Sequence, residues 1–115
     1  MLREAKLILP KADNAGRDLS ALAESVAAQL TDAFGGCRIA ESTGLWRNPA
    51  TGKLFREPCI EEISACEPSA QSNAVIRRLA AQINRDGRQS ATYAKFADGH
   101  VEIIEANKPL LVHAA

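Results

Sequence analysis

The feature that most limits what this chain can fold into is a strand-turn-strand unit set between two helix-forming stretches. Phe34-Gly35-Gly36 stops a helix, and a strand then reaches Gly44-Leu45-Trp46. Asn48-Pro49-Ala50-Thr51-Gly52 reverses the chain, and a second strand returns from Lys53 to Cys66. β-Branched and apolar residues alternate with polar ones along the outgoing strand, at Ile39, Thr43 and Leu45. Pro58 interrupts the returning strand and, because it cannot donate to a ladder, predicts a bulge or a break there.

Before this unit, Leu19, Leu22, Ala23, Val26, Leu30, Ala33 and Phe34 recur at the three-and-four spacing of one helical face. Asp18 is the expected N-cap, and Gly35-Gly36 supplies the left-handed stop. After the unit, Ser69 or Ser72 caps a second helix whose stripe is Val75, Ile76, Leu79, Ala80 and Ile83, ending at Gly87. Its polar side carries Arg77, Arg78, Arg85 and, just beyond, Arg88, several of them where the helix dipole favours positive charge.

The two ends of the chain complete the pattern. Ala5 to Leu9 is a short apolar run closed by Pro10 and suits a strand, and Asp13-Asn14-Ala15-Gly16 reads as a turn. Near the other end, Ser90 to Ala97 and His100 to Ala106 flank Asp98-Gly99, a hairpin signal. A two-residue turn there pairs Phe96 with Val101 and Ala94 with Ile103 on one face, and Lys95 with Glu102 on the other.

The order strand, helix, strand, strand, helix, strand predicts an α+β fold: a ferredoxin-like βαββαβ sandwich. Two helices cover one face of an antiparallel sheet, and an extra C-terminal hairpin strand extends it. Right-handed crossovers put the first strand between the returning strand and the last one. Residues 1–107 read as one domain and 108–115 as a tail.

Apolar residues make up 46% of the chain but aromatics only 4%, so the core is expected to be thin and built of Leu, Ile and Val. A thin core favours covering the bare sheet face, and a homodimer is the expected assembly. Trp46, Phe55 and Tyr93 can each point to that face. Fourteen basic residues balance fourteen acidic ones, which removes the field that nucleic-acid binding relies on. No apolar run approaches the roughly 20 residues that span a bilayer, and no signal peptide is legible, so no membrane partner is expected and the cytoplasm is the expected compartment. Three Cys at these spacings make no zinc site and read as free thiols.

Chemical signatures are sparse. Gly35-Gly36 ends a helix rather than opening one, which is the wrong geometry for a phosphate loop. Neither His100 nor His113 sits in a catalytic pattern. Glu57, Glu61 and Glu62 give the returning strand an acidic character, and Glu57 and Glu61 share parity and can converge on one face. Asp13 to Asp18 lies at the carboxyl end of the central strand and at a helix start, where Arg17 can clamp a carboxylate or phosphate. The candidate ligand- or partner-binding residues are therefore Asp13, Asn14, Arg17, Trp46, Arg47, Glu57, Arg77 and Arg78. No catalytic residue, metal ligand or cofactor is read from the sequence.

Taken together, Asp13-Asn14-Ala15-Gly16-Arg17-Asp18, Phe34-Gly35-Gly36-Cys37, Gly44-Leu45-Trp46-Arg47-Asn48-Pro49-Ala50-Thr51-Gly52-Lys53, Glu57 and Gln89 resemble a family of small phage- and prophage-encoded proteins. The resemblance runs to about Glu105 and rests on Phe-Gly-Gly and Gly-x-Trp-x-x-Pro-x-x-Gly motifs. It implies a phage context and a ferredoxin-like sandwich, and it brings no established site residue with it. The function expected is a non-catalytic accessory protein acting through contacts with a host or phage protein, a counter-defence inhibitor included. The alternatives are a small-molecule or nucleotide-sequestering protein or minor enzyme using Arg17, Glu57 and the Trp46 region, and a virion structural or assembly component.

Overall fold

The structure, a computed structural model, describes residues 1–106. In chain order the elements are β1 (Arg3–Pro10), α1 (Ser20–Phe34), β2 (Arg38–Arg47), β3 (Leu54–Cys66), α2 (Ala70–Asp86), β4 (Ala91–Lys95) and β5 (Val101–Glu105). The strands form one antiparallel sheet in the order β2-β3-β1-β4-β5. This is the ferredoxin-like α+β sandwich with its extra strand, and β1 lies between β3 and β4. The tail assigned to 108–115 and the last residue of the domain, Asn107, lie outside the described residues.

Alternation decides which face of the sheet is covered. Ala5, Leu7 and Leu9 of β1 are buried, together with Ile60 of β3 and Ala94 of β4, which lie across from Leu9 and Leu7. Against them α1 packs Ala23, Val26 and Leu30, and α2 packs Ile76, Leu79, Ala80 and Ile83. Removing one such aliphatic side chain from water contributes about 1.5–3 kcal/mol, so these stripes rather than helix propensity hold α1 and α2 in place. The opposite face has no helix over it.

The stops are as the residue types demand. Gly35 has φ 92° and its amide donates to the Thr31 carbonyl, while Ser69 accepts from the Ser72 amide at 3.0 Å. Asp18 is not the N-cap of α1. Leu19 is buried and its amide donates to the Lys11 carbonyl, so the cap position falls on Leu19. Asp18 stands one residue upstream and accepts from the Ser20 amide at 3.0 Å and the Ser20 hydroxyl at 2.9 Å.

Two expectations for the strands are corrected. β3 runs through Pro58 without a bulge, and Thr43 faces Pro58 in unbroken register with β2. The Pro58 carbonyl accepts from the Lys11 amide, so its backbone groups point towards the end of β1 and no β2 carbonyl is left without a donor. The last hairpin is also shifted by one residue. Its pairs are Ala94 with Glu102, Lys95 with Val101 and Tyr93 with Ile103. The Gly99 amide donates to the Phe96 carbonyl and Phe96 donates to the His100 carbonyl, which closes a three-residue loop with Gly99 at φ 100°. A one-residue shift exchanges faces, so Val101 and Ile103 lie on the bare face and Glu102 on the helix side.

Candidate functional site

β1 gives up its pairing with both neighbours before either of them ends. Pro10, the last residue of β1, lies opposite Cys59, yet β3 extends beyond that rung from Pro58 to Leu54, paired there only with β2. On the other side, pairing of β1 with β4 stops at Ile8 and Tyr93, while β4 and β5 stay paired as far as Ala91 and Glu105. A cleft of about 560 Å³ opens there, between the ends of the two strand pairs, on the carboxyl side of the central strand. Its volume suits a nucleoside-sized ligand.

β2 contributes Gly44 and Trp46 to this cleft, β3 contributes Glu57, and β4 and β5 contribute Ala91, Tyr93 and Ile103. Asn14 from the loop after β1 and Arg88-Gln89-Ser90 from the turn after α2 form its rim. Trp46 stacks on Phe55, with ring centroids 4.5 Å apart and planes 12° from parallel, and Lys53 stands 4.9 Å above the Phe55 ring. The indole is still 48% exposed, so it keeps a face free for a planar ligand. Gly44 lies close to Cys59, and a Cβ there would stand 3.1 Å from its Sγ, a few tenths of an ångström inside ordinary contact.

Among the described residues, neither the Glu57 carboxylate nor the Arg88 guanidinium has a hydrogen-bond or ion-pair partner. Two uncommitted opposite charges therefore border one partly aromatic cleft. Other predicted site residues are already engaged. The Asp13 carboxylate accepts from the Ala15 amide, the Arg17 amide and Arg17 Nε at 2.8–3.0 Å. The Arg17 hydrogen bonds, backbone first and then side chain, hold its pKa below the usual carboxylate range. Arg17 Nη2 also donates to the Asp86 carbonyl at 2.7 Å, joining this loop to the end of α2.

Asn14 and Trp46 thus reach the cleft with Glu57, whereas Asp13 and Arg17 brace its rim from behind. Arg47 donates to the Gly52 carbonyl inside the β2–β3 turn. Arg77 and Arg78 lie elsewhere on α2. Arg77 binds Glu102 through two 2.7 Å bonds and stacks on Phe96, and Arg78 donates to Gln29 of α1. Glu102, expected opposite Lys95, is instead held down to about 2 by Arg77 and then His100. The acidic patch also divides. Glu57 and Glu61 share the bare face and Glu61 pairs with Lys6 at 3.1 Å, but Glu62 is fully buried on the helix side.

Arg88, Ser90 and Tyr93 were not among the sequence candidates. Arg88 carried one signal in its position directly after Gly87, for it takes the left-handed conformation, φ 53°, that Gly87 at φ −92° does not. Behind it, a hollow of about 550 Å³ lies between α2 and the end of β5. Cys59 and Cys66 are buried and Cys37 half-buried; all three are free, with desolvation pushing each thiol up. Among the described residues no group of three or more His, Cys, Asp or Glu side chains is placed to hold a metal ion, and no helix is long and apolar enough to cross a membrane.

No protein-family model and no curated protein sequence matches the chain. Among solved structures it is similar to a phage SAM lyase in complex with S-methyl-5'-thioadenosine, with a TM-score of 0.70, 13% identity, and coverage of 94% of this chain and 92% of that one. A phage SAM lyase in the apo state aligns with a TM-score of 0.67 at 15% identity, over 92% and 90% of the two chains. At such identities the likeness is one of fold, and the resemblance to phage proteins holds at that level. It corrects the functional expectation. The fold is shared over nearly the whole of both chains with a phage SAM lyase, which runs against the non-catalytic accessory protein acting through protein contacts.

Proposed function

We propose that this chain is a lyase that cleaves S-adenosylmethionine in the cleft at the end of β1. The observation that carries the reading is the pairing of an exposed, stacked indole with the unpartnered Glu57 carboxylate in one nucleoside-sized cleft. The fold likeness supports it. S-methyl-5'-thioadenosine is what remains of S-adenosylmethionine once the bond from sulfur to the γ-carbon of the amino-acid arm breaks. Sulfur keeps the electron pair and loses its positive charge. An oxygen of the arm's own carboxylate takes its place on the γ-carbon and closes a lactone, so the atoms of the two products sum to the substrate.

Such a reaction has a leaving group that departs neutral, and its nucleophile travels with the substrate. Neither a His nor a Cys is required, and the missing catalytic signature no longer argues against an enzyme. What the site must do is fold the arm so that the oxygen approaches opposite sulfur, an effect of proximity and orientation. The free indole face and Tyr93 take the adenosine and the sulfonium, which aromatic rings attract. Glu57 holds the arm's ammonium. Consumption of S-adenosylmethionine would give the counter-defence role a catalytic means in place of a binding one.

The test is to incubate the purified protein with S-adenosylmethionine and quantify S-methyl-5'-thioadenosine by liquid chromatography and mass spectrometry, against a protein-free control. Product should form well above that control. Glu57→Gln, which loses a charge-assisted contact, should lower kcat/KM about tenfold or more while leaving the melting temperature near that of the parent. Product formation equal to the control, with no rise in melting temperature on adding S-methyl-5'-thioadenosine, rejects the proposal.

A further inference from the structure

We propose that Arg88 binds the α-carboxylate of the substrate's amino-acid arm, so that the cleft selects adenosyl ligands that keep a free carboxylate. The inference rests on the lyase reading and adds a specificity-determining residue to it. Arg17, Arg77, Arg78 and Arg85 are all engaged, with Asp13 and the Asp86 carbonyl, Glu102, Gln29 and Asp86 respectively. Arg88 borders the cleft with its guanidinium unpaired among the described residues. Its planar fork matches a carboxylate as no other uncommitted group on this rim does.

The backbone at this position is held against its preference. Arg88 has φ 53° and is, among the described residues, the one non-glycine with positive φ. Three contacts impose that path. A Cβ on Gly87 would stand 2.6 Å from the Ile83 carbonyl oxygen and 3.0 Å from Leu22 Cδ2, so only glycine lets the chain leave α2 so tightly. The Gln89 amide then donates to the Asn84 carbonyl at 3.0 Å, and Arg17 anchors the Asp86 carbonyl just upstream. A residue kept in a disfavoured conformation by several independent contacts marks a position where side-chain direction matters.

Glu57 and Arg88 divide a zwitterion between them, the ammonium at Glu57 and one carboxylate oxygen at Arg88. The second oxygen stays free to reach the γ-carbon. S-methyl-5'-thioadenosine, which has lost the arm, gains nothing from Arg88, and this difference is what can be measured.

Isothermal titration calorimetry is run with S-methyl-5'-thioadenosine and with S-adenosylhomocysteine, which keeps the carboxylate but lacks the reactive sulfonium. The proteins are the parent, Arg88→Gln, Arg88→Lys and Arg88→Gly, the last relieving the positive φ. Gln and Gly should weaken S-adenosylhomocysteine about tenfold or more, leave S-methyl-5'-thioadenosine within about twofold, and Lys should recover part of the loss. Equal weakening of both ligands, or no weakening of either, overturns the role of Arg88 and leaves the lyase reading standing. A parent protein that binds neither ligand removes both.

Discussion

Glu62 sits across from Leu7 of β1 and Ile39 of β2, fully buried, with no hydrogen-bond partner for either carboxylate oxygen. Burial, and then the Glu24 carboxylate on α1, pushes its pKa up to about 8, and the Cys37 thiol is the other titratable group coupled to it. The folded chain therefore keeps a proton there that the unfolded chain releases near 4.5. Stability falls as pH rises from about 4.5 to about 8, by a few kcal/mol in all, and then levels off. Glu62→Met fills the same space without the carboxyl. Urea denaturation should find it more stable than the parent at pH 8, by about 1–4 kcal/mol, with the difference much reduced at pH 5. A gain of equal size at both pH values would contradict this account. Sequence could not have placed this residue, because Ile60 and Ile63 of opposite parity flank the Glu61-Glu62 pair and either carboxylate could have faced inward.

At the scale of elements, α1 and α2 were legible because a three-and-four stripe closed by glycine admits few other readings. The last hairpin was not, since Asp98-Gly99 serves a two-residue turn and a three-residue loop with left-handed glycine equally well. That one-residue ambiguity hid the exposure of Ile103 on the bare face and with it one wall of the cleft. The loop after β1 was placed correctly at the carboxyl end of the central strand, but Arg17 turned out to tie two loops together. Arg17→Ala should accordingly raise amide hydrogen exchange in residues 87–90 as well as in 13–17. Exchange raised in the loop alone would mean that the two rims move independently.

For the molecule as a whole, the order of elements was sufficient to give the sandwich, while the cleft depended on where strands end relative to one another. Trp46 and Glu57 could be singled out as unusual residues, yet nothing in the sequence brings them near Arg88, which lies 31 positions beyond Glu57. Light scattering on the purified chain decides whether the bare face, with Trp46, Val101 and Ile103 each about half exposed, pairs with a second copy. A mass near 12.3 kDa removes the homodimer expected from the sequence.

The early end of β1 has a consequence for how such proteins diverge. The positions around the gap belong to turns and to the bare face of the sheet, whereas the side chains that seal the helices to the sheet lie on its other face. Replacing the former leaves the interior filled, so natural variation can rewrite the vestibule almost letter by letter while the scaffold persists. Agreement in shape at 13–15% identity is what that separation allows.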